Sequence, residues 1–380
     1  MTTYGRAAGW VTAAIVAGVG AACLADAAAD LFKRSDRNGD GKLTRDEFPK
    51  RAMRLFDRID TNRDGAVTLE EDRAFRASRR RQGPAPGGNV KITRDIPYAG
   101  TKNPRQMLDL LLPAKPATDK PLPVIVFIHG GAWRAGNKSA GIGRVAPYVA
   151  GGHYAGVSVG YRLTSEAIWP AQIHDCKAAI RWIRAHAKTH HLDGEKIGVW
   201  GTSAGGHLVA MLGTSGGVKA MDGTLGPHAG LPSRVACVVD CFGPTDFTQM
   251  DAHRPPGARM THDAADSPES KLIGGPVQAN KDKAAAASPL TYVSKDDPPF
   301  LIAHGTADPL VPFHQSQLLD AALRNAGLKP VFIHVVGAGH GFGEAEFTTR
   351  VRTFFDKHLR GRNVEVSSAP IKQERRRRTE

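Results

Sequence analysis

The sequence predicts an α/β domain with a mostly parallel sheet, preceded by a small helical module. From residue 90 onwards, short apolar runs alternate with helical stretches, which is typical of a parallel sheet covered by helices on both faces. Before residue 90 the chain contains two acidic segments of the same twelve-residue pattern, followed by a stretch rich in Gly, Pro and Arg. A chain of 380 residues with 41% hydrophobic residues can bury a sizeable core without disulfides, and its composition argues against a multi-span membrane protein.

Residues 1–27 have the pattern of a secretory signal peptide. Residues 7–25 carry no charge, a basic residue precedes them, and Ala25 and Ala27 are small residues at the positions that signal peptidase reads. We therefore expect a secreted or periplasmic protein. The alternatives are an uncleaved anchor and a lipid attached to Cys23, and either of these would anchor the chain to a membrane.

Two segments of residues 28–76, the predicted helical module, follow the EF-hand calcium loop. The segments are 36–47 and 60–71, and each has glycine at its sixth position, where the loop turns sharply. The predicted ligands are oxygens of Asp36, Asn38, Asp40, Lys42 (backbone carbonyl), Thr44, Glu47, Asp60, Asn62, Asp64, Ala66 (backbone carbonyl), Thr68 and Glu71. Ca²⁺ is a hard cation that takes about six to eight oxygens, so the sequence predicts two calcium sites.

The spacing between the loops predicts that they lie apart. Only twelve residues, 48–59, separate them, and Phe48, Ala52, Phe56 and Ile59 recur as on one face of an amphipathic helix. Such a helix is about 18 Å long, which would place the loops at opposite ends, without face-to-face pairing. We therefore expect a structural role for Ca²⁺, and the alternative is a degenerate pair that no longer binds the ion.

The positive charge of the chain is concentrated outside the predicted domains. The net charge is +14, and nine of these charges lie within residues 73–83 and 360–380. We interpret residues 77–89 as a solvated linker and residues 361–380 as a disordered basic tail. No zinc-finger spacing or RNA-binding aromatic motif accompanies these charges, so nucleic acid is not expected as a partner. Contact with an anionic polymer or a lipid surface is the alternative.

Residues 90–360 form the predicted α/β domain. Apolar runs predict strands at 123–129, 154–159, 196–200, 299–304 and 331–336. A helix is predicted over 170–188, because Pro170 is favoured at the first position of a helix. Residues 216–232 and 247–287 fit neither pattern, and we interpret them as insertions over the site that set substrate selectivity.

The strand at 196–200 leads into residues 201–205, GTSAG, and then into an apolar helix. This G-x-S-x-G pattern between a strand and a helix presents the serine hydroxyl on a sharp turn, as a nucleophile requires. A serine nucleophile needs a base and an acid that orients the base. Asp308 and His340 each follow a predicted strand closely, in the chain order Ser, Asp, His. We therefore predict a triad of Ser203, Asp308 and His340.

Other acids and histidines could fill two of these positions. Asp240 and Asp246 follow the strand after the nucleophile, but Asp246, in GPTDF, is better explained as a turn or a cap. His304, His314 and His334 are alternative bases. His304 ends a strand and His334 lies within one, so neither points naturally towards the serine.

Acyl transfer also needs donors for a developing oxyanion. The segment HGGAW follows a predicted strand, and its small residues allow backbone N–H groups to approach a ligand. We expect the N–H groups of Gly131, Ala132 and Ala204 to form this oxyanion hole. Trp133 could line the substrate pocket or belong to the core. His207, one helical turn after the serine, could line or support the pocket.

Together these motifs resemble an α/β-hydrolase esterase of the hormone-sensitive-lipase-like type, most like the acetyl-xylan and feruloyl esterases. The resemblance rests on HGGAW, YRLTSEAIWPAQIHDCKAAIRWI, GVWGTSAGGHL, GPTDF, HGTADPLVP and GAGHGF, which span nearly all of residues 90–360. It implies a serine carboxylic ester hydrolase in which Ser203, Asp308 and His340 are nucleophile, orienting acid and general base. It also implies no cofactor for the chemistry and a small ester or an acylated carbohydrate as substrate.

Two other functions remain open from the sequence. A prolyl-oligopeptidase-like peptidase shares this fold and chain order, although the segment before residue 90 is too short for a propeller domain. A calcium-dependent binding or scaffold protein with a vestigial hydrolase domain is the other alternative, and the complete set of triad residues argues against it.

Overall fold

The computed structural model describes two units of the chain. The described residues are 32, 35–49, 53, 55–72, 75, 88–258, 260–343 and 345–372. The first unit extends to Pro84 and the second begins at Ala85. The predicted signal peptide, most of the predicted linker and residues 373–380 lie outside the described residues. Among the residues described, no helix combines the length and the apolar character that a membrane span requires.

The two predicted loops of the first unit pair face to face. β1 (Lys42–Thr44) and β2 (Ala66–Thr68) form an antiparallel pair, with Leu43 opposite Val67. Both of these side chains are buried in a small core, whose other buried members are Phe32, Phe48, Phe56 and Ile59. The prediction that the loops lie apart is therefore wrong, because each loop contributes one strand to the same sheet.

The helix predicted between the loops is also shorter than expected. Among the described residues of 48–59, α1 covers only Phe56–Ile59, while Phe48 lies in a bend and Pro49 has no regular structure. Pro49 lacks the N–H group that a continuous helix needs. Pairing the loops also buries Leu43 and Val67, which loops held apart would leave in water. Burial in the shared core therefore determines the structure here, and the helical periodicity of the sequence does not.

The second unit is built on one large sheet. Its strands are β3 (Val90–Pro97), β4 (Met107–Pro113), β5 (Leu122–Ile128), β6 (Ala155–Val159), β7 (Leu192–Thr202), β8 (Cys237–Cys241), β9 (Phe300–Gly305), β10 (Val331–Val336) and β11 (Ile371–Lys372). The strand order is β11-β10-β9-β8-β7-β5-β6-β4-β3. Pairing is parallel from β11 to β6, and antiparallel between β6 and β4 and between β4 and β3.

Helices cover both faces of this sheet. They are α2 (Ser139–Val149), α3 (Ala171–Ala185), α4 (Ala204–Thr214), α5 (Lys219–Asp222), α6 (Pro268–Ile273), α7 (Lys281–Ala286), α8 (His314–Asn325) and α9 (Ala345–Arg360). Alternate residues of β5 enter two different cores because strand side chains alternate between faces. Val124 and Val126 join the core that includes α3 and α4, whereas Ile125 and Phe127 join the core that includes α2 and α9. The predicted fold class is confirmed.

The two predicted insertions lie in different places. Residues 216–232 include α5 and are held to α3, where Lys177 Nζ lies 2.9 Å from Asp222 Oδ1. No described residue of this insertion lines the cavity at the candidate site, so its predicted position is wrong. Residues 247–287 include α6, α7 and three short 3₁₀ helices, and they reach that cavity through Met260.

Part of the predicted tail belongs to the sheet. β11 pairs in parallel with β10, with Ile371 opposite Val335, and Ile371 is buried. The expectation of a disordered tail is therefore wrong for residues 361–372. Apolar burial of Ile371 explains why this segment adds to the sheet.

The sheet brings the predicted site residues to one edge. β5, β7, β9 and β10 run parallel, so the loops that follow them all open at the carboxyl edge of the sheet. The loop after β7 carries Ser203, the loop after β9 carries Asp308, and the loop after β10 carries His340. The HGGAW segment leaves the same edge at the end of β5.

Candidate active site

Ser203 occupies a strained turn between β7 and α4. Its backbone has φ 57° and ψ −124°, which is unusual for a residue with a side chain, and its N–H donates to the Cys241 carbonyl at 2.9 Å. Two glycines allow this turn to pack closely. A Cβ atom at Gly201 would lie 2.1 Å from the Gly205 carbonyl oxygen, and one at Gly205 would lie 2.1 Å from the Ile128 carbonyl oxygen. Only glycine fits either position.

The three predicted triad residues meet in one chain of hydrogen bonds. His340 Nε2 lies 3.0 Å from Ser203 Oγ, and His340 Nδ1 lies 2.7 Å from Asp308 Oδ2. The N–H groups of Leu310 and Val311 donate to the other oxygen of Asp308 at 2.8 and 3.1 Å. The structure therefore places a carboxylate, an imidazole and a hydroxyl in the order that activates a nucleophile.

The environment of Asp308 keeps its carboxylate charged. Burial raises the pKa of Asp308, but hydrogen bonds from His304 and His340 lower it by a larger amount. The pKa therefore lies well below its usual range. A charged Asp308 accepts the Nδ1 hydrogen of His340. The Nε2 lone pair of His340 is then directed towards Ser203.

His304 has a role in the site that the sequence did not predict. It is buried and does not contact Ser203, as the sequence predicts, but its Nε2 lies 3.3 Å from Asp308 Oδ2. The same nitrogen lies 3.0 Å from the Val311 carbonyl, and Nδ1 lies 2.7 Å from Ser316 Oγ. His304 therefore contacts the same carboxylate oxygen of Asp308 as His340 does. The spacing of four residues between His304 and Asp308, across a tight turn, was the available signal.

The alternative acids have other contacts. Asp246 caps a 3₁₀ helix over Phe247–Gln249, where it accepts a hydrogen bond from the Thr248 N–H at 2.9 Å, as the sequence predicts. Asp240 lies under the nucleophile turn and accepts from the Gly243 N–H at 3.0 Å. Burial raises the pKa of Asp240 to about 7.

The remaining alternative bases pack against other rings. The ring of His314 stacks on that of His253, with centroids 3.5 Å apart. His334 makes an edge contact with Phe332, with centroids 4.4 Å apart.

The predicted oxyanion donors lie beside Ser203. Gly131 and Ala132 line the same cavity as Ser203, and Ala204 follows it as the first residue of α4. Within the described part of the chain, no hydrogen-bond acceptor is assigned to the N–H groups of these three residues. Gly131 has φ 118° and Ala132 has φ 53°, so this segment is bent away from an extended path. Free N–H groups next to a nucleophile suit a developing oxyanion.

Trp133 and His207 support the site from within the core and do not line the cavity. Both are buried, at 1% and 0% exposure, and Trp133 Nε1 donates to His207 Nδ1 at 3.2 Å. His207 Nε2 lies 2.6 Å from the Ala287 carbonyl. Burial lowers the pKa of His207 to about 4, so the ring is neutral and can accept from Trp133. The position predicted for them in the pocket lining is therefore not observed, and the structure agrees with the other alternative for each, a core position for Trp133 and a supporting one for His207.

A cavity of about 550 Å³ opens at Ser203 and His340. Its walls combine small residues of the HGGAW segment with larger apolar side chains. The apolar residues are Trp200, Phe242, Met260, Leu310, Phe342 and Phe347. Arg134 and Arg144 also line it. The Phe242 ring packs against the His340 ring with centroids 4.7 Å apart, which limits rotation of the imidazole.

The fold and this arrangement define an α/β hydrolase with a serine turn. The BD-FAE family model matches residues 108–323, and the chain belongs to this family. The resemblance predicted from the motifs is thereby confirmed. The EF hand model matches residues 28–51 and 53–71.

Proteins named as esterases are among the similar proteins. Esterase LipC of Mycobacterium tuberculosis is 32% identical over 241 residues, which are 63% of this chain and 58% of that relative. A solved structure titled as a truncated form of carbohydrate esterase from gut microbiota is 36% identical, with a TM-score of 0.67, and the match covers 73% of this chain and 100% of that one. The bifunctional GH43-CE structure of Bacteroides eggerthii is 38% identical, with a TM-score of 0.65, over 70% of this chain and 35% of that one. The chain spans 46% to 58% of the length of the first three curated relatives.

Replacing Asp308 is expected to change how the stability of the protein depends on pH. The pKa of Asp308 is lower in the folded protein than the value of about 3.9 in unfolded chains. Its contribution to stability is therefore present above about pH 4 and is lost as the pH falls towards the folded pKa. We expect Asp308→Asn to be less stable than the wild type at pH 6, and this difference to shrink between about pH 4 and pH 2. Thermal unfolding across this range measures it.

Asp246→Asn is the matched control, because it also removes one carboxylate but touches neither His304 nor His340. Equal pH responses of the two variants would assign the effect to net charge and contradict a specific role of Asp308.

Proposed function

We propose that the protein is an exported serine esterase that hydrolyses carboxylic esters, with acylated carbohydrate as the substrate class. The observation that carries the proposal is the His340 ring, which reaches Ser203 Oγ through one nitrogen and Asp308 Oδ2 through the other. Membership of the BD-FAE family supports the reaction. Similarity to a protein titled as a carbohydrate esterase supports the substrate class.

The first half of the reaction acylates the serine. His340 Nε2 accepts the hydroxyl proton while Ser203 Oγ forms a bond to the ester carbonyl carbon. The carbonyl oxygen becomes negative and is held by the N–H groups of Gly131, Ala132 and Ala204. Each such donor contributes about 10²–10³ to kcat in comparable sites. The bond to the alcohol oxygen then breaks, and the alcohol takes the proton from His340.

The second half releases the acid. Water loses a proton to His340 Nε2 as its oxygen attacks the acyl carbon, and the same backbone donors hold the oxyanion. Collapse of this intermediate breaks the bond to Ser203 Oγ, which regains the proton. Charged Asp308 stabilises the imidazolium during both halves.

The N-terminal loops have a donor set that suits Ca²⁺. Their predicted ligands are carboxylate, amide, hydroxyl and carbonyl oxygens, the hard donors that this cation takes. In the first loop, Asp36 Oδ2 accepts from the Gly41 N–H at 2.9 Å and Glu47 Oε2 accepts from the Thr44 N–H at 3.1 Å. Among the described residues, no three His, Cys, Asp or Glu side chains gather as a metal site, so Ca²⁺ would also need the amide and carbonyl oxygens.

The second loop repeats this arrangement. Asp60 Oδ2 accepts from the Gly65 N–H at 3.0 Å, and Glu71 Oε2 accepts from the Thr68 N–H at 3.0 Å. Burial raises the pKa of Glu71, but hydrogen bonds from Thr68 and other loop groups lower it to about 2. The side chain is therefore anionic at neutral pH, as a cation ligand must be. We propose that both loops bind Ca²⁺ and that the ion stabilises the first unit.

Removing the nucleophile is expected to abolish ester hydrolysis. Ser203→Ala should lower kcat by about 10⁴-fold or more, because no other group can form the acyl-enzyme. The assay is release of acetate, ferulate and nitrophenol from a small panel of esters, with peptide amides included to separate an esterase from a peptidase. Thr202→Ala is the matched control on the same turn. Hydrolysis that persists in Ser203→Ala would overturn the proposal.

Calcium is expected to act on the first unit and to leave turnover nearly unchanged. Addition of CaCl₂ should slow amide hydrogen exchange in residues 35–72 and release or absorb heat in calorimetry, because the ion binds the folded loops alone. Glu47→Gln with Glu71→Gln should abolish both signals, and MgCl₂ serves as the control ion. A large loss of kcat on chelation would contradict a structural role, and a lack of heat would contradict binding.

The leader is expected to be removed during export. The uncharged run over 7–25 and the small residues Ala25 and Ala27 support cleavage near residue 27. N-terminal sequencing and intact mass of protein recovered from outside the cytoplasm measure this. Ala25→Leu should block processing, because a large residue does not fit the peptidase. A full-length N-terminus or a lipid-modified Cys23 would contradict cleavage at this position.

A further inference from the structure

The cavity at Ser203 has a positive charge that the proposed chemistry does not use. Among its described lining residues, Arg134 and Arg144 are the ones that carry a permanent charge at neutral pH. No described lining residue is Asp or Glu. Arg134 follows the HGGAW segment and Arg144 lies on α2, so two separate elements each contribute an arginine to the lining of one cavity.

In the part of the chain that the structure describes, no acid pairs with these two arginines. Residues 129–149 contain three long cations, Arg134, Lys138 and Arg144, and no acid. Lys138 Nζ lies 2.6 Å from carboxylate oxygens of Asp95 and Asp109 and is therefore paired. Within the described residues, neither arginine forms an ion pair, and both side chains are exposed.

Some other arginines of the second unit form ion pairs with carboxylates. Arg162 forms a close pair with Asp175 at 2.8 Å, and Arg360 pairs with Asp356 at 2.6 Å. In the described part of the unit, other arginines are held without a carboxylate, as Arg352 is by the Tyr148 ring, 4.5 Å from its guanidinium carbon. Among the described residues, the two arginines of the cavity have neither a carboxylate nor a ring partner, so a ligand can supply the carboxylate.

The rest of the cavity strengthens the effect of these charges. Trp200, Phe242, Phe342 and Phe347 form an apolar wall and provide no acceptor that competes with a ligand. Charges beside an apolar wall are less screened than charges surrounded by water. A guanidinium group also matches a carboxylate with two parallel hydrogen bonds.

We infer that the cavity selects esters whose substrate carries a carboxylate close to the scissile bond, bound by Arg134 and Arg144. The inference rests on the proposed esterase function. A carboxylate could come from two sources, a uronic acid on the alcohol side or a second carboxyl group on the acyl side. Both place one negative charge a few bonds from the ester, and the arginines recognise that charge.

Two matched substrate pairs test the inference. On the acyl side, the 4-nitrophenyl hemiester of glutaric acid is compared with the 4-nitrophenyl ester of its neutral monoamide. On the alcohol side, acetylated methyl glucuronoside is compared with acetylated methyl glucoside. In each pair the ratio of kcat/KM for the anionic over the neutral ester reports selectivity for charge.

We expect this ratio to exceed one in the wild type for at least one pair. In Arg134→Gln with Arg144→Gln the ratio should fall about 10-fold, mainly through KM, because hydrogen bonds to a charged group are lost. Raising NaCl from 0.05 to 0.5 M should lower the wild-type ratio, since salt screens exposed charges. Arg362→Gln is the matched control, because it removes an exposed arginine that does not line the cavity.

Each outcome has a distinct meaning. A fall in the ratio for the glutarate pair alone places the carboxylate on the acyl side, and a fall for the glucuronoside pair alone places it on the alcohol side. A ratio of one or below for both pairs, or an equal ratio in the double variant and the wild type, would overturn the inference. Retained hydrolysis in Ser203→Ala would instead overturn the proposed function. Thermal unfolding of the double variant checks that it is folded.

Discussion

The contact between the nucleophile turn and the end of β5 determines how the parts of the site meet. A side chain at Gly205 would collide with the Ile128 carbonyl, so α4 can begin against β5 only because this residue is glycine. β5 continues directly into the segment that contains Gly131 and Ala132. The hydroxyl of Ser203 and the free N–H groups are therefore held in register by backbone contact. Donors fixed in this way need no reorganisation when charge develops.

A second layer of buried polar groups holds this arrangement in place. Asp308 receives hydrogen bonds from two backbone N–H groups on one oxygen and faces His304 and His340 with the other. A buried carboxylate without such partners would cost several kcal/mol, or it would lose its charge. Trp133 and His207 play the corresponding part under the oxyanion segment. Stability and geometry of the site therefore depend on the same hydrogen bonds.

The parts of the site that follow from local pattern could be predicted from the sequence. The glycine-flanked serine, the chain order and the position of each residue after a strand depend on short segments and on the direction of parallel strands. The burial of His207 could not be predicted, because it depends on the Ala287 carbonyl, 80 positions away. The pairing of the N-terminal loops depends on Leu43 meeting Val67, and helical periodicity between them carries no signal for that contact.

The last strand protects the sheet from other molecules. Without β11, one side of β10 would present unpaired N–H and C=O groups, which form a template for another extended chain. Ile371 and Lys372 cover part of that side, with an apolar residue facing inwards and a charged residue exposed. A chain shortened to residue 362 would keep every residue of the site and would leave this edge open. The effect of such a loss would be seen in self-association of the protein during storage.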